Sequence, residues 1–161
     1  MIFVTVGTDQ PFDRMVKVVD VWAAENGRTD IFAQIGEGGW EPASIPFSRL
    51  LTPIEYKKHF AAARIIISHA GMGTILSALQ YGKPILVMPK KASLGEHRNE
   101  HQLATARHMM NTGQVAVALD EAELREKLDH LDELLPKKTI PPVAGGPLVA
   151  EIRRFVFSIS R

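Results

Sequence analysis

Ile65-Ile66-Ile67-Ser68 leaves this chain few folds to choose from. β-branched side chains are stiff at χ1 and favour extended backbone, and a short run that is apolar at every position fits a strand buried on both faces. Such strands belong to parallel sheets covered by helices. Ile2–Val6, Ile31–Ile35 and Ile85–Met88 repeat the pattern, with Phe47–Leu51 and Val115–Leu119 as further short runs. Helix-length amphipathic segments lie between them, so the spacing predicts alternating strands and helices.

The helix signals are local and specific. Pro11 suits a first turn, Met15, Val18, Val19 and Trp22 form one stripe, and Gly27 stops it. Thr52-Pro53-Ile54-Glu55 reads as a capping box opening a helix to about Ala63. A third helix runs from the loop His69-Ala70-Gly71-Met72-Gly73-Thr74 to Gly82, with Pro84 beyond. Pro89–Gly95 reads as a basic loop, His97–Asn111 as a helix stopped by Gly113, and Asp120-Glu121-Ala122-Glu123 as the cap of a charged helix ending before Pro136. Residues 136–147 hold four prolines and two glycines and read as a linker. Beyond it, Leu148, Ile152, Phe155, Val156 and Ile159 line one face of a final helix over 148–161. The expectation is a Rossmann-like α/β three-layer sandwich over residues 1–135 with a parallel sheet of about six strands.

Composition narrows the chemistry. With 161 residues, 45% hydrophobic, the chain fits one globular domain. Nineteen Lys+Arg against 18 Asp+Glu give a net charge of +1, no electrostatic case for nucleic acid. The absence of cysteine removes disulfides, thiolate metal sites and thiol catalysis, and suits a reducing compartment. No basic leader precedes Ile2–Val6, and no window approaches the roughly 18 apolar residues of a membrane span. A cytoplasmic domain is predicted.

Ligands of open parallel sheets gather at the carboxyl ends of the strands. Gly7-Thr8 ends the first strand, and His69–Thr74 ends the fourth. Glycines let backbone approach an anion, a helix N-terminus favours negative charge, and a threonine hydroxyl adds a donor. A phosphate or diphosphate is the natural guest. For Gly7 alone a tight turn explains as much; the Gly71/Gly73 pair favours a ligand. The named phosphate motifs do not fit. The loop lacks the third glycine of the dinucleotide fingerprint and the acidic residue about twenty positions on, and Gly82-Lys83 is followed by proline.

Glu96-His97-Arg98-Asn99-Glu100-His101-Gln102 is the densest polar cluster. His97 and His101 match an inverted zincin spacing, which would make a metal-dependent hydrolase. The same cluster offers donors and acceptors to a sugar and a diphosphate, or is simply a solvated helix start. His59, His108 and His130 read as surface or boundary residues, and Lys90-Lys91 and Lys137-Lys138 as solvated charge.

Taken in order, Val4-Thr5-Val6-Gly7-Thr8 with Phe12-Asp13, Ser68–Thr74, Gly82-Lys83-Pro84 and Gly95–Gln102 resemble the C-terminal, donor-binding domain of family 28 glycosyltransferases. The likeness covers residue 1 to about 135 and is to the stand-alone subunit type, such as bacterial exopolysaccharide transferase subunits and the catalytic subunit of the eukaryotic dolichol-linked GlcNAc transferase. The resemblance implies the C-terminal half of a GT-B fold and an inverting transferase using a UDP-sugar, with no bound metal and no further cofactor. It implies Gly7 and Thr8 against the diphosphate, the Thr52–Ile54 turn at the uracil, and His69, Gly71, Met72, Gly73 and Thr74 on the diphosphate and ribose side. His101 and Gln102 would hold the sugar, with Glu96 nearby. His69 and Glu96 are the candidate catalytic groups. Where two-domain relatives carry a ribose-binding glutamate, this chain has Ser77. The resemblance also implies a membrane-anchored partner subunit that presents a polyprenyl-diphosphate-linked acceptor and supplies the general base, placing this chain peripherally at the inner face of the membrane. A non-catalytic nucleotide-binding subunit is the other reading, and the final helix is the candidate docking element.

Overall fold

The structure, a computed structural model, describes residues 1–113 and 115–134. Six parallel strands form one sheet: β1 (Ile2–Thr5), β2 (Ile31–Gln34), β3 (Phe47–Ser48), β4 (Ile65–His69), β5 (Ile85–Met88) and β6 (Ala116–Val117), in the order β3-β2-β1-β4-β5-β6. Five α-helices connect them: α1 (Asp13–Glu25), α2 (Pro53–Ala62), α3 (Met72–Gln80), α4 (His101–Thr112) and α5 (Glu121–Asp129). The fold is the expected Rossmann-like sandwich.

The two-residue period of a strand divides the core. Ile2 and Val4 of β1, Ile65 and Ile67 of β4, and Leu86 and Met88 of β5 face one side, against Met15, Val19 and Trp22 of α1 and Leu124 and Leu128 of α5. Phe3, Ile66, Ile85 and Val87 face the other, against Phe60 of α2, Ile75, Ala78 and Leu79 of α3, and Ala106 of α4. The near-continuous apolar runs follow from this two-sided burial. β1 and β4 pair from Ile2↔Ile65 to Thr5↔Ser68, so their carboxyl ends stand level.

The elements depart from expectation at their ends. β3 stops at Ser48, whose hydroxyl donates to the Leu50 carbonyl at 2.7 Å, well short of Leu51. α5 ends at Asp129 instead of just before Pro136, and a 3-10 turn at Leu131–Glu133 follows; there Asp132 pairs with Arg28 at 2.9 Å and Arg64 at 2.5 Å. The capping box at Thr52/Glu55 is formed on both sides. The linker over 136–147 and the final helix over 148–161 lie outside the described residues. No helix among the described residues is long and apolar enough to cross a membrane.

Candidate active site

From β1 the chain runs outward to β2 and β3, and from its neighbour β4 the other way to β5 and β6. Connections that leave adjacent strands in opposite directions open a crevice beyond their carboxyl ends. A cleft of about 580 Å³ fills that position, walled by Val6–Asp9, by Leu51, Pro53, Tyr56 and Lys57 at the start of α2, by His69, Gly73, Thr74 and Ser77, and by Lys90, His97 and Gln102.

A buried polar network shapes the turn after β1. The Gly7 N–H donates to Thr5 Oγ1 at 3.3 Å, and Thr5 donates to Gln34 Oε1 at 2.7 Å. Gln34 Nε2 in turn donates to the carbonyls of Gly7 at 3.0 Å and Arg49 at 3.1 Å. Gly7 has φ +80°, a conformation that only glycine adopts without strain. On the opposite wall α3 begins at Met72 with Gly71 as its N-cap, and no side chain caps it. The first N–H groups of a helix have no partner within it and carry partial positive charge. Here that end opens onto the cleft at Gly73 and Thr74. A Cβ at Gly73 would meet nothing within 4 Å, so the wall is open there. The Ser77 hydroxyl donates back to the Gly73 carbonyl at 2.8 Å. Burial raises the pKa of the Tyr56 phenol.

His69 sits between the two turns, and its protonation can be read from its neighbours. Gln102 Oε1 accepts the Lys90 N–H at 3.1 Å, which orients the amide and turns Nε2 toward His69 Nδ1, also at 3.1 Å. An amide nitrogen only donates, so Nδ1 is an acceptor and the neutral ring carries its proton on Nε2. Burial, reinforced by the positive field of Lys90, lowers the His69 pKa to about 4. The ring is therefore a neutral donor at ordinary pH. Its Nε2 edge faces Gly7, where an added Cβ would stand 2.6 Å away.

Of the residues expected in the site, Gly7, Thr8, His69, Gly73, Thr74 and Gln102 line the cleft together. Thr52 and Ile54 do not, although their neighbours Leu51 and Pro53 do; Thr52 is spent on capping α2, and Ile54 is 81% exposed. Gly71 lies behind His69, and Met72 points out to solvent. Glu96 is turned away. Its carboxylate grips Arg14 through two bonds at 2.8 and 2.9 Å and accepts the Lys91 N–H at 2.9 Å. His101 is exposed, and its N–H is taken by Asn99 Oδ1 at 3.1 Å.

Two readings need correction. The helix expected from His97 starts at His101, so the two histidines do not stand one turn apart on a helix, and the zincin geometry is lost. Among the described residues no three His, Asp or Glu side chains gather closely enough to hold a metal ion. Lys90, expected as solvated charge, is 1% exposed and forms part of the cleft wall. Asp9 was not singled out either. It lines the cleft 3.9 Å from His97 and 3.7 Å from Arg98. A lysine following a buried strand and a proline, and an acid directly after Gly-Thr, were the available signals.

The family model described as "Glycosyltransferase family 28 C-terminal domain" matches residues 1–139. The human protein "UDP-N-acetylglucosamine transferase subunit ALG13" is 33% identical over 124 residues, 70% of this chain and 10% of that protein's length. The chain thus spans a small fraction of that relative. Among solved structures, the solution structure of ALG13 superposes with a TM-score of 0.58 at 20% identity, covering 94% of this chain and 93% of that one. Acinetobacter baumannii MurG superposes with a TM-score of 0.60 at 18% identity, covering 83% of this chain and 42% of that one. At these identities the two structures speak for the fold.

Proposed function

This chain belongs to the glycosyltransferase family 28 C-terminal domain family, and from that membership we propose that it is the donor-binding subunit of a UDP-sugar glycosyltransferase. The observation that carries the reading is the cleft itself. Two turns, an uncapped helix N-terminus and a neutral histidine donor converge at the switch point of the sheet, an arrangement suited to a diphosphate. Leu51, Pro53 and Tyr56 make the more apolar end, where the base of a nucleotide fits.

In this reading an acceptor hydroxyl oxygen attacks the anomeric carbon as the bond from that carbon to the β-phosphate oxygen breaks, with inversion. The electron pair leaves with UDP. The chain's part is to position the donor and to stabilise the departing diphosphate with the N–H groups of Gly73 and Thr74 and the Nε2–H of His69. The acceptor site and the base that takes the hydroxyl proton come from a second, membrane-anchored subunit presenting a polyprenyl-diphosphate-linked acceptor. That subunit would hold this chain peripherally at the inner face of the membrane, in exopolysaccharide or glycolipid synthesis. No cofactor beyond the UDP-sugar is invoked.

Calorimetric titration of the full chain with UDP, GDP, ADP and uridine tests the first part. UDP is expected to bind, and failure of every nucleotide to bind would overturn the reading. Transfer from a radiolabelled UDP-sugar to lipid, with membranes carrying the partner subunit and excess chelator present, tests the second. UDP binding with no transfer would make the chain a non-catalytic nucleotide-binding subunit.

A further inference from the structure

We propose that Lys90 is the buried cation of the donor cleft, holding the diphosphate and neutralising the charge that develops on the β-phosphate as the sugar leaves. The proposal rests on the nucleotide-sugar reading above and extends it to a residue whose position in sequence suggests ordinary surface charge.

Among the described residues the buried ammonium has no carboxylate within ion-pair distance. Lys90 follows β5, and its side chain runs beneath the turn after β1, where Nζ donates to the Gln10 carbonyl and lies 5.9 Å from the centroid of the Phe12 ring. That carbonyl takes one of three N–H donors. Two acids carry fields that reach it, and neither forms an ion pair with it. Glu96 is bound to Arg14 at 2.8 Å, and Asp9 faces His97 at 3.9 Å and Arg98 at 3.7 Å. Removing an ammonium from water costs several kcal/mol, and an uncharged carbonyl offsets only part of that. An apolar side chain of the same length would suit the fold better. Lys90 lines the cleft beside Gly7, Thr8, Asp9, His69, His97 and Gln102.

A diphosphate fits the vacancy in charge. A helix N-terminus offers roughly half an elementary charge, whereas a diphosphate carries more than one. Lys90 adds a full unit, at a point tied to both turns. Its side chain bonds the Gln10 carbonyl beside Gly7, and its N–H bonds Gln102, the residue that orients His69. When the acceptor oxygen forms its bond to the anomeric carbon, the bond to the β-phosphate oxygen breaks and that oxygen gains negative charge. A preorganised ammonium in a site of low dielectric stabilises this change more than it stabilises the intact donor. The proton of the acceptor hydroxyl goes to the base on the partner subunit.

Lys90→Met in the full chain is the test, because methionine keeps an unbranched side chain as far as Cε and removes the charged Nζ with its donors. The variant is expected to fold with a Tm equal to or above that of the native chain. It should bind UDP at least tenfold more weakly and uridine with unchanged affinity. UDP affinity within twofold of native, or a lowered Tm with UDP and uridine binding weakened together, overturns the proposal. A second measurement needs no loss-of-charge variant. The Nζ resonance of Lys90, assigned with Lys90→Arg, titrates in the native chain in the field of Asp9, Glu96, His69 and His97. Saturating UDP should raise its midpoint by at least one pH unit, and uridine should leave it in place; no shift with UDP overturns the assignment. Should the native chain bind no UDP, the functional reading beneath it fails, whatever position 90 does.

Discussion

A Cβ at position 71 would stand 2.1 Å from His69 Cε1, whereas one at position 73 would meet nothing within 4 Å. Two glycines of one turn therefore answer to different demands, one to the imidazole behind it and one to the space in front. Gly71→Ala is expected to push the ring off Gln102 and destabilise the domain by about 2 kcal/mol, the usual scale of overpacking, as a fall in Tm. Gly73→Val should leave Tm within a few degrees of native, because valine is no worse than glycine in a helix, and weaken UDP at least tenfold by filling the approach. Melting curves and calorimetry on the two variants check both. The glycine pattern was readable from sequence as a close approach; what approaches Gly71 was not, because the direction of the His69 ring is set by Gln102, 33 residues away in the chain.

Between β5 and α4 the chain is held by ions and side-chain bonds where a longer helix was expected. Glu96, His97, Arg98, Glu100 and His101 are compatible with helix, so propensity extends the helix backward. Local bonds oppose it. Gly95 takes a left-handed conformation, His97 Nδ1 accepts the Asn99 N–H at 3.4 Å, and Asn99 Oδ1 accepts that of His101. The loop is then fastened to α1 by the two-bonded Arg14–Glu96 pair, whose side chains are 11% and 12% exposed. This contact spans the fold and has no trace in local sequence. Glu96→Gln removes the charge and one of the two acceptor oxygens that face the Arg14 guanidinium, which keeps Glu121 and the Pro89 carbonyl. It is expected to cost about 3 kcal/mol, read as a lower urea midpoint at unchanged m-value, and to weaken UDP because Lys90 rides on the same loop.

For the molecule as a whole, acid should lower its stability in two stages. His69 has its pKa held at about 4 in the folded state, against an ordinary value near 6.5, so the unfolded chain binds the extra proton between those values. Stability is complete above pH 6.5 and declines as pH falls toward 4, by up to about 3 kcal/mol. Asp30 and Asp132, whose pKa values Arg28 lowers most, begin to lose their contribution as pH falls through the ordinary carboxylate value and go on losing it below. Denaturation midpoints from pH 7 to 3 should show both stages, and His69→Gln should lack the first. The sheet was legible at this scale because every central strand is buried on both faces and alternation of strands with helices admits little else. The cleft was legible only at its glycines. Lys90, Gln34 and Asp9 acquire meaning from neighbours brought together by the topology.

The solitary ammonium under the turn after β1 bears on how this protein can be engineered. A library selected for heat resistance alone would reward leucine or methionine at position 90, since stabilising changes are plentiful wherever function has kept a residue ill-suited to its surroundings. The survivors would be hardier and silent, so any such campaign has to screen for nucleotide retention in the same round.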